Sequence, residues 1–105
     1  MAFEIKVMPS AEADLADYFD YIAADSRRRA EDWFFAAWEK ILSLNENPNR
    51  FAVIPESEEL GLDLRHIIHY SHRIVFRVKE TEGSVEVIRV YHGARKPLTP
   101  PDLAE

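Results

Sequence analysis

Hydrophobic and polar positions along the chain predict a strand, two helices and three further strands. Residues 3–8 alternate between apolar and charged side chains, which is the pattern of a strand with one buried face. Pro9 follows and ends strand pairing, because proline has no backbone N–H to donate. The chain therefore opens with a short strand.

Two segments with apolar residues at helical spacing come next. The first covers residues 11–24, with Ser10 as its expected N-cap and acidic residues in its first turn. The second covers residues 27–45 and ends at Asn47-Pro48. Because the link between them is short, they are expected to form an antiparallel hairpin whose apolar faces need a sheet to cover them.

The second half of the chain carries the remaining strand signals. Residues 48–62 contain prolines, glutamates and a glycine and predict an irregular connection. Strands are predicted at 64–69, 73–79 and 85–91, with turns at Tyr70-Ser71 and Glu80–Gly83. The resulting order is β-α-α-β-β-β, an α+β domain with a helical hairpin on one face of a mostly antiparallel sheet. We assign residues 1–98 to this single domain and 99–105 to a proline-rich C-terminal tail.

Composition limits the chemistry that the chain can perform. The 105 residues include no cysteine, which excludes disulfides, thiolate metal sites and a cysteine nucleophile. No apolar run is long enough to span a membrane, and the N-terminal residues lack a signal-peptide core. These features predict a soluble cytoplasmic protein.

The charge is unevenly distributed. The net charge of −6 makes direct nucleic-acid binding an unattractive hypothesis. Residues 1–59 carry six basic and thirteen acidic side chains, whereas residues 60–98 carry seven basic and four acidic ones. The sequence therefore indicates either a molecule with one cationic face or a chance imbalance.

Basic residues on the middle strand of the second half are candidates for that face. Period-two spacing places Arg73, Arg77 and Lys79 on one side of the strand, and basic residues elsewhere could join them: Arg65, Arg89 and Arg95. Such a face could bind phosphates or an acidic peptide, or it could be an ordinary solvated sheet face.

The histidines and tryptophans have competing interpretations. His66, His69 and His72 recur every three residues, which does not place them on one side of a strand, so no metal site is predicted. His92 follows Tyr91 at the end of the last strand, where it is a candidate proton shuttle or a partner contact. Trp33 and Trp38 lie at helical spacing and are predicted to be core residues, although part of one could lie at a partner interface.

Six segments in order give the chain a family resemblance. They are Ala11–Leu15, Tyr18-x-x-Tyr21-Ile22-Ala23, Asn47-Pro48, Leu60–Arg65, Arg73–Val78 and Ile88–Arg95. With these segments the chain resembles the RelE/ParE superfamily of toxins from type II toxin–antitoxin systems. The resemblance implies a toxin with the same β-α-α-β-β-β fold and a cognate antitoxin that binds it.

The superfamily contains two mechanisms. RelE-like members cut messenger RNA on the ribosome, and that mechanism would use these residues here: Arg73, Arg77, Tyr91, His92 and Arg95. However, the region before the sheet carries Glu56, Glu58 and Glu59 where RelE-like members place lysines, and prolines occupy the place of their C-terminal helix. The chain is therefore more similar to the ParE branch, which implies a non-enzymatic inhibitor of DNA gyrase.

The expected function is accordingly that of a ParE-like toxin, without a cofactor, that binds gyrase and is neutralised by an antitoxin. A ribosome-dependent endoribonuclease and a non-toxic antitoxin-binding module are the alternatives. The expected partner-binding residues are Arg65, Arg73, Arg77, Arg89, Tyr91, His92, Arg95, Trp33 and Trp38.

Overall fold

A computed structural model describes residues 2–93 of the chain. Arg95 and the predicted tail, residues 99–105, lie outside the described part, as does the predicted domain boundary at residue 98. The elements are β1 (Glu4–Val7), α1 (Pro9–Ala23), α2 (Arg27–Leu42), α3 (Glu56–Leu60), β2 (Leu64–His69), β3 (His72–Lys79) and β4 (Ser84–His92). The predicted order is confirmed, with the short helix α3 as an addition inside the segment predicted to be irregular.

The four strands form one sheet in the order β1-β4-β3-β2. β2, β3 and β4 are antiparallel neighbours, whereas β1 pairs in parallel with β4 over residues 84–87 only. β4 is longer than β1, so its C-terminal half extends past the end of β1. A bulge lies in β4 opposite Val75 and Phe76, where Arg89 and Val87 are the paired residues and Ile88 is the extra one.

The main core lies between the helical hairpin and one face of the sheet. Ile74 and Phe76 on β3 are fully buried against α1 and α2, as their alternation predicts. Leu15 on α1 and Ile41 on α2 supply apolar side chains from the opposite layer. Burial of this apolar surface fixes which way the helices face.

A second, smaller core covers part of the opposite sheet face. Val75 and Ile88 contact Ile54 and Leu64 there, and all four are buried. The segment that carries α3 crosses this face, and Ile54 donates its backbone N–H to the Leu64 carbonyl at 2.8 Å. Val75 points away from the helices and is buried in this second core.

The two long helices begin differently. Ser26 caps α2, because its hydroxyl accepts a hydrogen bond from the Arg29 backbone N–H at 3.2 Å. The prediction that Ser10 caps α1 is wrong. Met8 occupies the cap position in extended conformation and Pro9 is the first helical residue, where its fixed φ suits the helix and its missing N–H costs nothing.

No helix within residues 2–93 combines the length and the apolar character that crossing a membrane requires.

Candidate partner-binding site

Glu56 organises a buried polar cluster at the sheet face beneath α3. Its carboxylate receives both terminal nitrogens of Arg73, the nearer one at 2.5 Å, and the Tyr91 hydroxyl at 3.1 Å. Arg73 and Tyr91 are register partners on β3 and β4, and the guanidinium lies 4.7 Å from the centre of the tyrosine ring. The acidic helix thus neutralises one predicted site cation and binds the predicted site tyrosine.

His66 on β2 borders this cluster. Burial lowers the pKa of His66, and the positive charge of Arg73 lowers it further, while Glu56 opposes the change. The imidazole is therefore neutral near pH 7 and adds no positive charge to the cluster.

The predicted cationic sheet face is largely neutralised from within. Lys79 lies 3.3 Å from Glu86 and 3.6 Å from Glu82. Arg65 donates to the Phe51 carbonyl at 2.5 Å, and its side chain is only 17% exposed. Arg77 is half-buried opposite Glu86 in the β3–β4 register. Nearby acids and carbonyls therefore engage most of the described cations on this face, which reduces the positive charge that a partner would meet. A partner-binding role for the individual residues stays a prediction.

Arg89 is held by α1. The two oxygens of Asp14 accept from Arg89 at 2.7 and 2.9 Å, and one of them also accepts the Val90 backbone N–H at 2.9 Å. This N–H belongs to the part of β4 that continues past β1. Asp14 thus supplies the acceptor that an adjacent strand would otherwise provide.

Aromatic rings and imidazoles form a second cluster where the β2–β3 turn meets the helical hairpin. The His72 ring lies 3.9 Å from Tyr18 and 5.3 Å from Trp33, measured between ring centres. His69 contacts the Trp33 carbonyl through Nε2 at 3.0 Å. Burial lowers the pKa of His72 to about 4, with smaller contributions from His92 and His69 and an opposing one from Asp14. These histidines are neutral, structural residues at pH 7.

The predicted role of Trp33 in the core is confirmed, since its side chain is buried. Trp38 is half-buried, with its ring 6.3 Å from that of Phe34. His92 is half-buried as well, with its ring 5.2 Å from that of His72. Among residues 2–93, no group of three or more histidines, aspartates or glutamates is arranged to hold a metal ion.

Sequence reasoning missed an exposed apolar strip on the outer side of α2. Phe35 and Leu42 are 63% and 58% exposed, and they are seven residues apart, which places them on one helix face with Trp38 between them. Ile68 on the edge strand β2 is also exposed, and Lys40 connects the two elements by donating to the Ile68 carbonyl at 3.2 Å. The sequence signal for this strip is the spacing of apolar residues 35, 38 and 42, which places them on one face of a helix.

The sequence matches the family model for the ParE toxin of the type II toxin–antitoxin system parDE over residues 5–97. The chain therefore belongs to the ParE toxin family, whose systems pair the toxin with a ParD-type antitoxin.

The structural comparison agrees on the fold. The structure is similar to a chain in a solved structure of the chromosomal ParDE system from P. aeruginosa, with a TM-score of 0.67 and 19% sequence identity. The similarity covers 87% of this chain and 96% of that chain. No curated protein matches the sequence significantly.

Proposed function

We propose that this ParE-family toxin inhibits DNA gyrase by binding it, without cutting a substrate, and that a ParD-type antitoxin neutralises it. The observation that carries the proposal is that the Glu56 carboxylate binds both Arg73 and the buried Tyr91. Both residues are among the candidate catalytic residues of the ribonuclease alternative.

A phosphate-cleaving site needs cations aimed at the position where negative charge develops. Here the Arg73 guanidinium already binds a carboxylate at 2.5 Å, and that carboxylate would repel an incoming phosphate. Tyr91 is 4% exposed and its hydroxyl donates a hydrogen bond to the same carboxylate, so it is poorly placed to transfer a proton to a substrate. The geometry therefore favours binding over nuclease chemistry.

The proposed antitoxin surface is the apolar strip formed by Phe35, Trp38 and Leu42 on α2, together with Ile68 on β2. Exposed apolar side chains on one helix face are typical of protein interfaces. A partner tail can cover such a strip with an amphipathic helix. Among the predicted contact residues, Trp38 fits this surface, whereas Trp33 lies in the core.

The target is tested with purified components. Added to DNA gyrase and relaxed plasmid, the toxin is expected to stop supercoiling, and the cognate antitoxin is expected to restore it. Transcripts from cells that express the toxin are mapped in parallel and are expected to stay intact. Cleaved transcripts with unimpaired supercoiling would instead support a ribonuclease, and harmless expression with firm antitoxin binding would support a non-toxic binding module.

The antitoxin surface is tested separately. Leu42→Ser is expected to weaken antitoxin binding by about tenfold, since it removes an exposed apolar contact of more than 1 kcal/mol. Val53→Ser is the matched control, because Val53 is also exposed, at 48%, but lies away from α2. Equal affinities for the two variants would exclude this surface.

A further inference from the structure

A cleft lies between α1 and the C-terminal half of β4. It has a volume of about 310 Å³ and is lined by Asp14, Asp17, Tyr18, Tyr21, His72, Val90, Tyr91 and His92. The cleft exists because β1 pairs with β4 only as far as Val87, and beyond that point α1, not a strand, lies beside β4. One side of the cleft is a single stripe of α1, since residues 14, 17, 18 and 21 recur at helical spacing.

The two acids of the cleft differ in their partners. Asp14 is neutralised by Arg89 through two hydrogen bonds. Asp17 lies about one turn further along α1, is exposed, and forms no ion pair with any residue in the range 2–93. The cleft therefore contains one carboxylate that is already matched to an arginine and one that is not.

Tyrosine rings adjoin this unmatched carboxylate. Tyr18 and Tyr21 stack with their centres 5.4 Å apart, and Tyr21 is 73% exposed although it is a large ring. A cation over a tyrosine face gains up to about 1–2 kcal/mol as it loses water. The same protein shows this contact elsewhere, where Arg73 lies over the Tyr91 ring at 4.7 Å.

His72 adds an independent indication of a ligand. Its side chain is 4% exposed and lines the cleft, and its Nδ1 atom has no hydrogen-bond partner among the described residues. Because the pKa of His72 is about 4, the ring is neutral at pH 7 and does not repel a cation in the cleft. Orphaned buried polar atoms are uncommon in folded proteins.

A second cleft adjoins the first one and does not add net positive charge to it. It shares Tyr18 and His72 with the cleft and carries one acid, Asp32, and one base, Arg29. Arg29 is paired with Asp25 at 3.3 Å. The charged side chains that line the two clefts therefore favour a cationic ligand group over a phosphate or carboxylate.

We propose that this cleft binds an arginine side chain presented by a protein partner, with the guanidinium against the Asp17 carboxylate and the exposed ring of Tyr21, which Tyr18 supports from behind by stacking. The site is separate from the apolar strip on α2, and it does not depend on gyrase being the target. Arginine suits it better than lysine, because a planar guanidinium can hydrogen-bond a carboxylate and stack on a ring at the same time.

The test uses N-acetyl-arginine N-methylamide as the probe and its citrulline counterpart as a neutral control of the same shape. In ¹H–¹⁵N spectra of the full chain, the arginine probe is expected to shift the amides of Asp17, Tyr18 and Tyr21 in a saturable manner. The citrulline probe is expected to bind at least about fivefold more weakly, because it lacks the charge that strengthens these bonds.

Two matched variants test whether the Asp17 carboxylate is the group that binds the probe. Asp17→Asn is expected to lower the affinity for the arginine probe by about fivefold, because a charge-assisted hydrogen bond is lost. Asp20→Asn lies on the same helix but outside the cleft, and it should leave binding unchanged.

Three results would overturn the proposal. Equal binding of the arginine and citrulline probes would remove the cation preference. Equal effects of Asp17→Asn and Asp20→Asn would remove the site. If the probe bound to an Arg95→Gln variant but not to the wild-type protein, the cleft would be a site for the chain's own arginine and not for a partner's.

Discussion

The carboxylate of Glu56 lies 2.5 Å from the guanidinium of Arg73, and the two side chains are only 8% and 15% exposed. A glutamate from a five-residue helix thereby binds one of the arginines that the ribonuclease alternative would need for phosphate contacts. The pair also attaches α3 to the sheet. This ion pair therefore both stabilises the position of α3 and reduces the availability of Arg73 for binding a phosphate.

Removing one member of this pair should be costly. Glu56→Gln leaves the Arg73 charge buried without an anion, and the free energy of unfolding, measured in urea, is expected to fall by about 3 kcal/mol. Glu59→Gln is the control, since Glu59 is an exposed residue of the same helix, and it should change stability by less than about 0.5 kcal/mol. Equal losses in the two variants would show that the ion pair contributes nothing.

Replacing Tyr91 with phenylalanine separates binding from catalysis. Tyr91→Phe keeps the ring over Arg73 but loses the hydroxyl bond to Glu56, so about 1 kcal/mol of stability should be lost. Growth arrest by the variant should persist, because the hydroxyl has no chemical role in a gyrase inhibitor. Loss of toxicity in a variant that still folds and binds antitoxin would favour the nuclease mechanism.

The contact between Asp14 and Arg89 should stabilise the end of β4. Asp14→Ala removes both the ion pair and the acceptor for the Val90 N–H, and we expect a loss of about 2–4 kcal/mol together with faster hydrogen exchange at Val90. Asp20→Ala, an exposed change on the same helix, serves as the comparison. Unchanged exchange at Val90 would contradict the proposed role of Asp14.

Stability should fall as the pH is lowered from 7 to 5. The pKa of His72 is about 4 in the folded protein against 6.5 in the unfolded chain, so the unfolded chain binds more protons between these values. The stabilisation from the neutral ring is thus fully present above pH 6.5 and is lost as the pH falls towards 4. His66 and His69, whose pKa values are also lowered, act in the same direction.

A His72→Phe variant isolates this contribution. Wild type should lose about 2 kcal/mol more than the variant between pH 7 and pH 5, since one pKa unit corresponds to about 1.4 kcal/mol. Urea titrations at the two pH values measure the difference. Parallel pH profiles for the two proteins would show that His72 does not titrate in this manner.

The local patterns in the sequence account for most of the fold. Alternation at Ile74 and Phe76 identifies the buried face of β3, and the apolar spacing on α2 identifies its core side, because both signals depend only on neighbouring residues. The pairing of β1 with β4 brings together segments about eighty residues apart. No local pattern specifies that pairing, so the gap beside the end of β4 could not be anticipated.

The candidate sites were harder to predict for the same reason. Glu56 lies in a segment rich in prolines and glutamates that predicts an irregular connection, and nothing local indicates that it will meet Arg73 and Tyr91. The positive charges on β3 were visible, but their internal partners come from other elements. Counting basic residues in the sequence therefore overestimates how many positive charges remain unpaired and available to a partner.

We propose that this toxin disables gyrase by binding it. The most direct measurement is plasmid supercoiling by purified gyrase, titrated with the toxin and then with its antitoxin, using wild type and Tyr91→Phe. We predict that both proteins stop supercoiling and that antitoxin restores it. Full supercoiling at a large excess of a toxin that still arrests growth would exclude gyrase as the target.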